Sequence, residues 1–366
     1  MVGRSLIRPA VLALAEYDAG EDLDETLALR ADRNESALAP PSHVIEAVRG
    51  LDGSALRRYP TALLGSVQRG LAERLQTGPD RVAIGTGADG ILAAIGAAVL
   101  DPGDTVVTVT PTFAMYAWLA GVAGARLRTL PYARRWELDV DALATLARGA
   151  RLVILGHPNN PTGEALELRD VARIAAALPQ TLVAVDEVYL SLRARSLLPA
   201  VSALDNVAVI GSLSKVAALA GLRVGYAVGD SRLATALRRV MPPFPVSAAS
   251  LAAADAYLSG GEATARFEAA LDEQNVRSLD RIVSEIGELA VDVWRSCGNF
   301  VLMDFGPRGE ALAALVRLRG VAVRTFTEPE LVGCVRFCAL DDLSTTRLIK
   351  TVREAAATLG MRAARA

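Results

Sequence analysis

Lysine and histidine are nearly missing from this sequence. Of its 39 basic residues only Lys215 and Lys350 are lysine, leaving 37 arginines, and histidine occurs only at His43 and His157. Cysteine is scarce too, with Cys297, Cys334 and Cys338 all late in the chain. They form no CxxC pair and have no histidine nearby, which excludes the common zinc modules. An odd, sparse count suits a reducing compartment, and each cysteine is expected to be buried filler. An excess of either charge is also absent. With 41 acidic residues the formal net charge is −2, so nothing points to nucleic acid or an anionic membrane as partner. The uncharged stretch from 105 to 125 is nominally long enough to span a bilayer. It carries four threonines and a central Pro111, and reads instead as strand, turn and buried helix. Residues 9–15 follow Arg4 and Arg8, but they start with proline and run at once into Glu16 and Asp18. That rejects a signal peptide. A soluble, cytoplasmic protein is expected.

What is present is an ordinary globular composition: 366 residues, 52% hydrophobic and 22% charged, enough for two domains. Between about 80 and 230, short apolar runs alternate with helical patterns. The runs are 81–84, 105–109, 151–155, 181–185, 207–210 and 224–228, nearly free of polar residues, as in strands covered on both faces of a mostly parallel sheet. Between two of them Leu168, Val171, Ile174 and Leu178 recur at helical spacing. The expected class is α/β, with ligands at the carboxyl ends of the strands. After about 250 the pattern changes. A charged helical stretch (251–289) precedes a strand (299–304), a helix (309–318), strands (321–326 and 334–339) and a last helix from 344. We therefore expect a large α/β domain over 41–250, with 1–40 and 251–366 forming an arm and a smaller α+β domain.

Three motifs carry chemistry, and two mislead. Gly85-Thr86-Gly87-Ala88-Asp89-Gly90 fits G-x-G-x-x-G between a strand and a helix, which suggests a dinucleotide site. The acid that should end the next strand and hold a ribose is missing, because that strand ends Val109-Thr110-Pro111. What survives is a glycine-rich turn with N–H groups suited to a phosphate. Ser212-Leu213-Ser214-Lys215 fits S-x-x-K of the penicillin-recognising acyl enzymes, but S-D-N and K-T-G are absent. The third reading absorbs both. Pro158-Asn159-Asn160-Pro161-Thr162-Gly163 is a loop at a strand end. Asp186-Glu187-Val188-Tyr189 closes the next strand, Ser212–Lys215 the one after, and Gly221-Leu222-Arg223-Val224-Gly225-Tyr226 follows. One strand-end edge thus offers an amide, a carboxylate, a phenol, two hydroxyls, an amine and a guanidinium. Such a set suits a phosphorylated aromatic aldehyde held by a Schiff base. Pyridoxal 5'-phosphate answers that description: it needs a lysine, an acid for its pyridine nitrogen, and donors for its phosphate.

At these residues the chain resembles the fold-type I pyridoxal-phosphate aminotransferases, and among them the histidinol-phosphate aminotransferase group. The resemblance spans nearly the whole chain. It adds Leu14–Tyr17, Asn34-Glu35-Ser36, Arg58-Tyr59-Pro60, residues 111–116 from Pro111 to Tyr116, and 296–301. It implies that Lys215 forms the Schiff base and shuttles the proton, and that Asp186 pairs with the pyridinium nitrogen. Asn160 and Tyr189 would bond the phenolic oxygen, and Phe113 would stack on the ring. The phosphate would take the N–H groups of Ala88 and Asp89, with Ser212, Ser214 and Arg223. Tyr59 would reach it from the second subunit of a homodimer with shared active sites. Arg336 would bind the acidic group of the substrate, with Arg324, Tyr17 and Asn160 also at the substrate. The implied reaction is amino transfer from histidinol phosphate to 2-oxoglutarate in amino-acid biosynthesis. The chain departs from the group at Phe113, Ala37-Leu38 and Gly90, which keeps aromatic or other amino donors open. Decarboxylation or oxidation also stays open, because the outcome depends on which Cα bond stands perpendicular to the ring. His157 reads as structural, since a lysine is at hand for proton transfer.

Overall fold

A computed structural model of the chain describes residues 6–16, 29–133, 136–190, 195–199 and 204–361. Strand β1 (Leu29–Arg30) is followed by helices, and then β2 (Val82–Thr86), β3 (Thr105–Thr110), β4 (Arg126–Pro131), β5 (Leu152–Gly156), β6 (Leu182–Asp186), β7 (Val207–Ser212) and β8 (Val224–Val228) build one sheet. Its order is β2-β8-β7-β6-β5-β3-β4. All neighbours are parallel except β8, which runs antiparallel to both β2 and β7. The mostly parallel sheet expected from the sequence is therefore found, with one strand reversed.

Alternation along these strands decides how the sheet is covered. Val107, Val109, Val153, Leu155, Val183, Val185, Val207 and Val209 enter the core on one face. Their neighbours Val106, Leu152, Ile154, Ala184 and Ile210 enter a second core on the other face, against Ile91, Leu92 and Ile95 of the helix Gly87–Val99. Successive strand residues point to opposite faces, so a strand buried on both must be apolar throughout. The strands that sequence reasoning missed lack this signature. Both Arg126 and Arg128 of β4 are exposed at the sheet edge, where only one side has a partner strand.

The rest of the chain is organised around an antiparallel sheet in the order β12-β10-β9, from β9 (Asp292–Arg295), β10 (Phe300–Asp304) and β12 (Cys334–Cys338). Its core takes Ile282 and Ile286 from the helix Gly261–Ile286, Leu312 and Val316 from Gly309–Leu318, and Leu348 and Val352 from Asp342–Thr358. The helical stretch expected over 251–289 is two helices, Ala248–Ser259 and Gly261–Ile286. They break at Gly260-Gly261, where Gly261 has φ +51°, a conformation that glycine adopts without penalty. The strand expected over 321–326 shortens to β11 (Val321–Ala322), which pairs in parallel with β1. Beyond it Arg324 forms an isolated antiparallel bridge with Arg336. Among the described residues no helix is long and apolar enough to cross a membrane.

One edge of the large sheet concentrates the motifs. The carboxyl ends of β2, β5, β6 and β7 and the start of β8 meet there, with Gly156 in register with Asp186, Ser212 with Gly225, and Gly85 with Gly225. Gly225 makes this approach possible: a Cβ there would stand 2.2 Å from the carbonyl carbon of Gly87 and 2.5 Å from the nitrogen of Ala88. Backbone cannot yield as a side chain can. We predict that Gly225→Ala lowers the unfolding free energy by about 1–3 kcal/mol or more, read by urea titration. A cost below about 0.5 kcal/mol would show that the turn has room to move.

Candidate active site

Lys215 sits on a single helical turn, Leu213–Val216, directly after β7. Ser212 caps that turn by accepting a bond from the Ser214 N–H at 3.1 Å, and its hydroxyl lies 2.9 Å from the Ser214 hydroxyl and 3.0 Å from the Val224 carbonyl. Lys215 is half-buried. Its Nζ donates to the Arg33 carbonyl at 2.8 Å and stands 6.0 Å from the centroid of the Tyr189 ring. Burial, followed by the positive field of Arg336, pushes its pKa down to about 8. A buried ammonium gives up its proton because the charged form is the one that burial penalises.

Asp186 ends β6 and is 6% exposed. One carboxylate oxygen accepts the Val188 N–H at 3.1 Å, and the other accepts the Tyr116 hydroxyl at 3.0 Å. Neither bond comes from a cation, and burial pushes the pKa up to about 6. Such an acid favours a positively charged partner, because a buried carboxylate is expensive until it is paired. A protonated ring nitrogen fits that requirement.

The third component is a corner suited to an anion. The helix Gly87–Val99 starts without a side-chain cap, since the Thr86 hydroxyl turns away to the Pro245 carbonyl at 2.5 Å. The Gly87 N–H is taken by the Arg223 carbonyl, so Ala88 and Asp89 hold the next amides of an uncapped helix start. Arg223 has φ +52°, rare for a residue with a side chain. Its guanidinium reaches the Ser214 hydroxyl at 3.4 Å, the Ala220 carbonyl at 3.2 Å and the Asp89 carboxylate at 2.9 Å. Gly87 has φ +70°, a conformation strained for any residue with a side chain, and a Cβ there would also lie 2.6 Å from that guanidinium and displace it. The Arg223–Asp89 pair is almost half exposed on both sides. Such pairs contribute about 0–1 kcal/mol, less than the 1.5–3 kcal/mol of a hydrogen bond to a charged group. A phosphate can therefore recruit Arg223 without a large loss.

These parts surround one cavity of about 160 Å³, lined by Ala88, Asp89, Phe113, Asn160, Asp186, Tyr189, Ser212, Ser214, Lys215 and Arg223 together with Arg33 and Tyr116. A second cavity of about 230 Å³ shares Arg33, Phe113, Asn160 and Tyr189 with it and adds Arg324, Arg336, Phe326 and Glu328. Arg336 lies in the middle of β12, buried, donating to the Asn160 amide oxygen and to the Asp32 carbonyl. The Asn160 Nδ2 is 3.4 Å from the Tyr189 hydroxyl, and Tyr189 packs edge-on against Phe300 at 5.3 Å. Asn160 thus joins the arginine of the second cavity to the phenol of the first. Two sequence candidates stand apart. Tyr59 is 77% exposed and stacked on Phe244 at 4.3 Å, lining neither cavity. Tyr17 lies outside the described residues.

His157 has the structural role expected of it: its ring nitrogens meet the Leu166 N–H and the Arg195 carbonyl, each at 2.9 Å. Cys334 and Cys338 are buried, and Cys297 is half-buried. Sequence reasoning gave no role to Tyr116 or Arg33. Tyr116 stands three residues after Phe113, a helical spacing that turns both toward one side. Arg33 enters through its backbone, for which no side-chain motif exists.

The family model for aminotransferase class I and II matches residues 30–352. The chain is 32% identical over 378 residues to a histidinol-phosphate aminotransferase of Roseiflexus castenholzii, covering 96% of this chain and 98% of that protein. It is 33% identical to histidinol-phosphate aminotransferase 2 of Thiobacillus denitrificans, covering 88% and 89%. Among solved structures it is similar to histidinol-phosphate aminotransferase from Sinorhizobium meliloti in complex with pyridoxal-5'-phosphate, at TM-score 0.86 and 27% identity over 98% of this chain and 99% of that one. The fold is shared with Thermus thermophilus aspartate aminotransferase, at TM-score 0.82 and 20% identity over 96% of this chain and 100% of that one.

The depressed pKa of Lys215 is open to direct measurement, because the chain holds only one other lysine. In cofactor-free protein, we expect labelling of Lys215 by an amine-selective reagent to rise with pH around a midpoint of about 8, with Lys350 as internal reference. Replacing Arg336 by methionine removes a positive neighbour and moves the Lys215 midpoint upward. A midpoint above 10 in the unmodified chain would contradict the buried environment described here.

Proposed function

This chain belongs to the class I and II aminotransferases, and from that membership we propose that it moves the amino group of histidinol phosphate to 2-oxoglutarate, with pyridoxal 5'-phosphate as cofactor. The observation that carries the reading is one cavity bounded by a buried amine with lowered pKa, a buried acid and an uncapped helix start, opening onto a second cavity lined by three arginines. Pyridoxal phosphate supplies an aldehyde that takes up amines and a protonated ring that draws electrons from the neighbouring carbon. Everything else is the work of side chains.

Lys215 would provide the amine that holds the aldehyde of the cofactor, and its lowered pKa would let it accept and return the proton of the substrate Cα near neutral pH. Asp186 holds the proton on the ring nitrogen. Asn160 and Tyr189 hold the phenolic oxygen, and Phe113 covers the ring. The amides of Ala88 and Asp89, with Ser212, Ser214 and Arg223, take the phosphate. In the second cavity Arg336 receives the anionic group of each substrate, because a guanidinium fork fits a phosphate or a carboxylate. Arg324 and Tyr17 serve the distal end. We place these functions in a homodimer in the cytoplasm, with Tyr59 crossing to the phosphate of the other subunit. The exposure of Tyr59 outside its own cavity supports that reading. We assign the cofactor to a domain over 41–250, and 1–40 with 251–366 to the unit that brings Arg336 and Arg324. Phe326 in the second cavity favours an aromatic amino acid as the competing donor.

A panel of amino donors decides between them. Purified holoenzyme is mixed with histidinol phosphate, phenylalanine, tyrosine or arginine, and its absorption is followed as the pyridoxal form converts to pyridoxamine. We expect histidinol phosphate to convert it fastest and 2-oxoglutarate to restore it; conversion by phenylalanine with none by histidinol phosphate would overturn the assignment. Lys215→Ala is expected to lose at least about 10³-fold in amino transfer and to retain no cofactor after borohydride treatment, checked by mass spectrometry. Retained transamination by that variant would exclude the proposed chemistry altogether.

A further inference from the structure

Tyr116 is buried, and the motif that contains it was singled out by sequence without a task for its phenol. Its ring meets Phe113 edge-on, with centroids 5.8 Å apart at 88°, and its hydroxyl donates to Asp186 at 3.0 Å. One side chain therefore touches both the residue that covers the cofactor ring and the acid assigned to its nitrogen. Gly156 lies beside it: a Cβ there would stand 3.4 Å from the phenol oxygen, in ordinary van der Waals contact.

We propose that Tyr116 is a positioning residue that keeps Asp186 ionised and aimed, through its hydroxyl, while its ring sets the place of Phe113. The proposal rests on the cofactor assignment above. Among the described residues Asp186 accepts two hydrogen bonds, from the Tyr116 hydroxyl and the Val188 amide. Each stabilises the carboxylate against the burial that raises its pKa. The other titratable and charged groups around it are Asp89 from the helix after β2, Glu187 and Tyr189 from its own strand end, and Arg33, Lys215 and Arg223, which line the same cavity. Tyr132, beyond β4, acts on the phenol itself. Asp89 disfavours the Asp186 charge and so does not replace the lost donor. Removing the hydroxyl must raise the proton affinity of Asp186. A hydrogen bond to a charged group is worth tenfold or more in such an affinity, which carries a midpoint of about 6 to above 7.

The sign follows. Only ionised Asp186 pairs with a pyridinium, so Tyr116→Phe should bind the cofactor weakly where Asp186 has become protonated and normally at higher pH. Tyr116→Phe, which keeps the ring against Phe113, is compared with the unmodified chain in two experiments. In cofactor-free protein labelled with ¹³C-aspartate, the Asp186 carboxyl is titrated by NMR, and its midpoint should rise above 7. In the second, pyridoxal phosphate binding is measured by fluorescence quenching from pH 6 to 8.5. The variant should be about threefold or more weaker at pH 6.5 and within about twofold at pH 8.5. An unchanged NMR midpoint, or a loss of affinity equal at every pH, would overturn the role of Tyr116. If the midpoint rises while the unmodified chain takes up no pyridoxal phosphate, the hydrogen bond stands and the cofactor assignment falls.

Discussion

The site depends on burying an amine and an acid beside one cavity without letting them neutralise each other. No ion pair joins Lys215 to Asp186; the lysine bonds to the Arg33 carbonyl, and the aspartate to a phenol and an amide. Had they paired, each would lock the other in its charged form. Held apart, burial shifts both toward neutral pH, the amine downward and the acid upward. That places a nucleophile and a proton anchor in reach of one small ligand.

The sheet makes this separation possible. Asp186 ends β6, and Lys215 follows β7, the next strand over. Two adjacent parallel strands thus deliver the two groups to the same edge from different residues of the turn. The anion corner arises from a different device, the reversed strand β8, which returns Arg223 to the start of the helix after β2. Glycine at 87 and 225 clears the space for that return. A sheet that was parallel throughout would have started β8 at the far edge.

Much of this was legible in the sequence because it obeys local rules. The runs ending in Asp186 and Ser212 are apolar since both faces are covered, and the loop around Asn160 is too rich in proline and asparagine to be anything else. The lysine shortage helped in the same way. An arginine stays protonated and cannot replace Lys215 in covalent chemistry, so one of only two lysines beside 37 arginines stood out. What escaped was set by tertiary structure. The edge strands β4 and β9 lack a continuous apolar run, and 299–304 lost its first residue to the turn before β10. Arg33 meets Lys215 across 182 positions, through a carbonyl that every residue possesses. Tyr116 was visible as a letter of a motif, but its bond to Asp186 spans 70 positions.

The segment around Arg33 has one more implication. Its strand β1 pairs with β11 in a two-stranded sheet of their own, and the segment is fastened to residues in and beside the small sheet: Cys338 N–H meets the Ala31 carbonyl, Arg336 holds the Asp32 carbonyl, and Asn299 holds those of Asn34 and Glu35. At the turn after β7 the same segment meets Lys215, whose nitrogen carries up to three protons and donates to the Arg33 carbonyl. Each chemical change at that nitrogen alters how many it can offer.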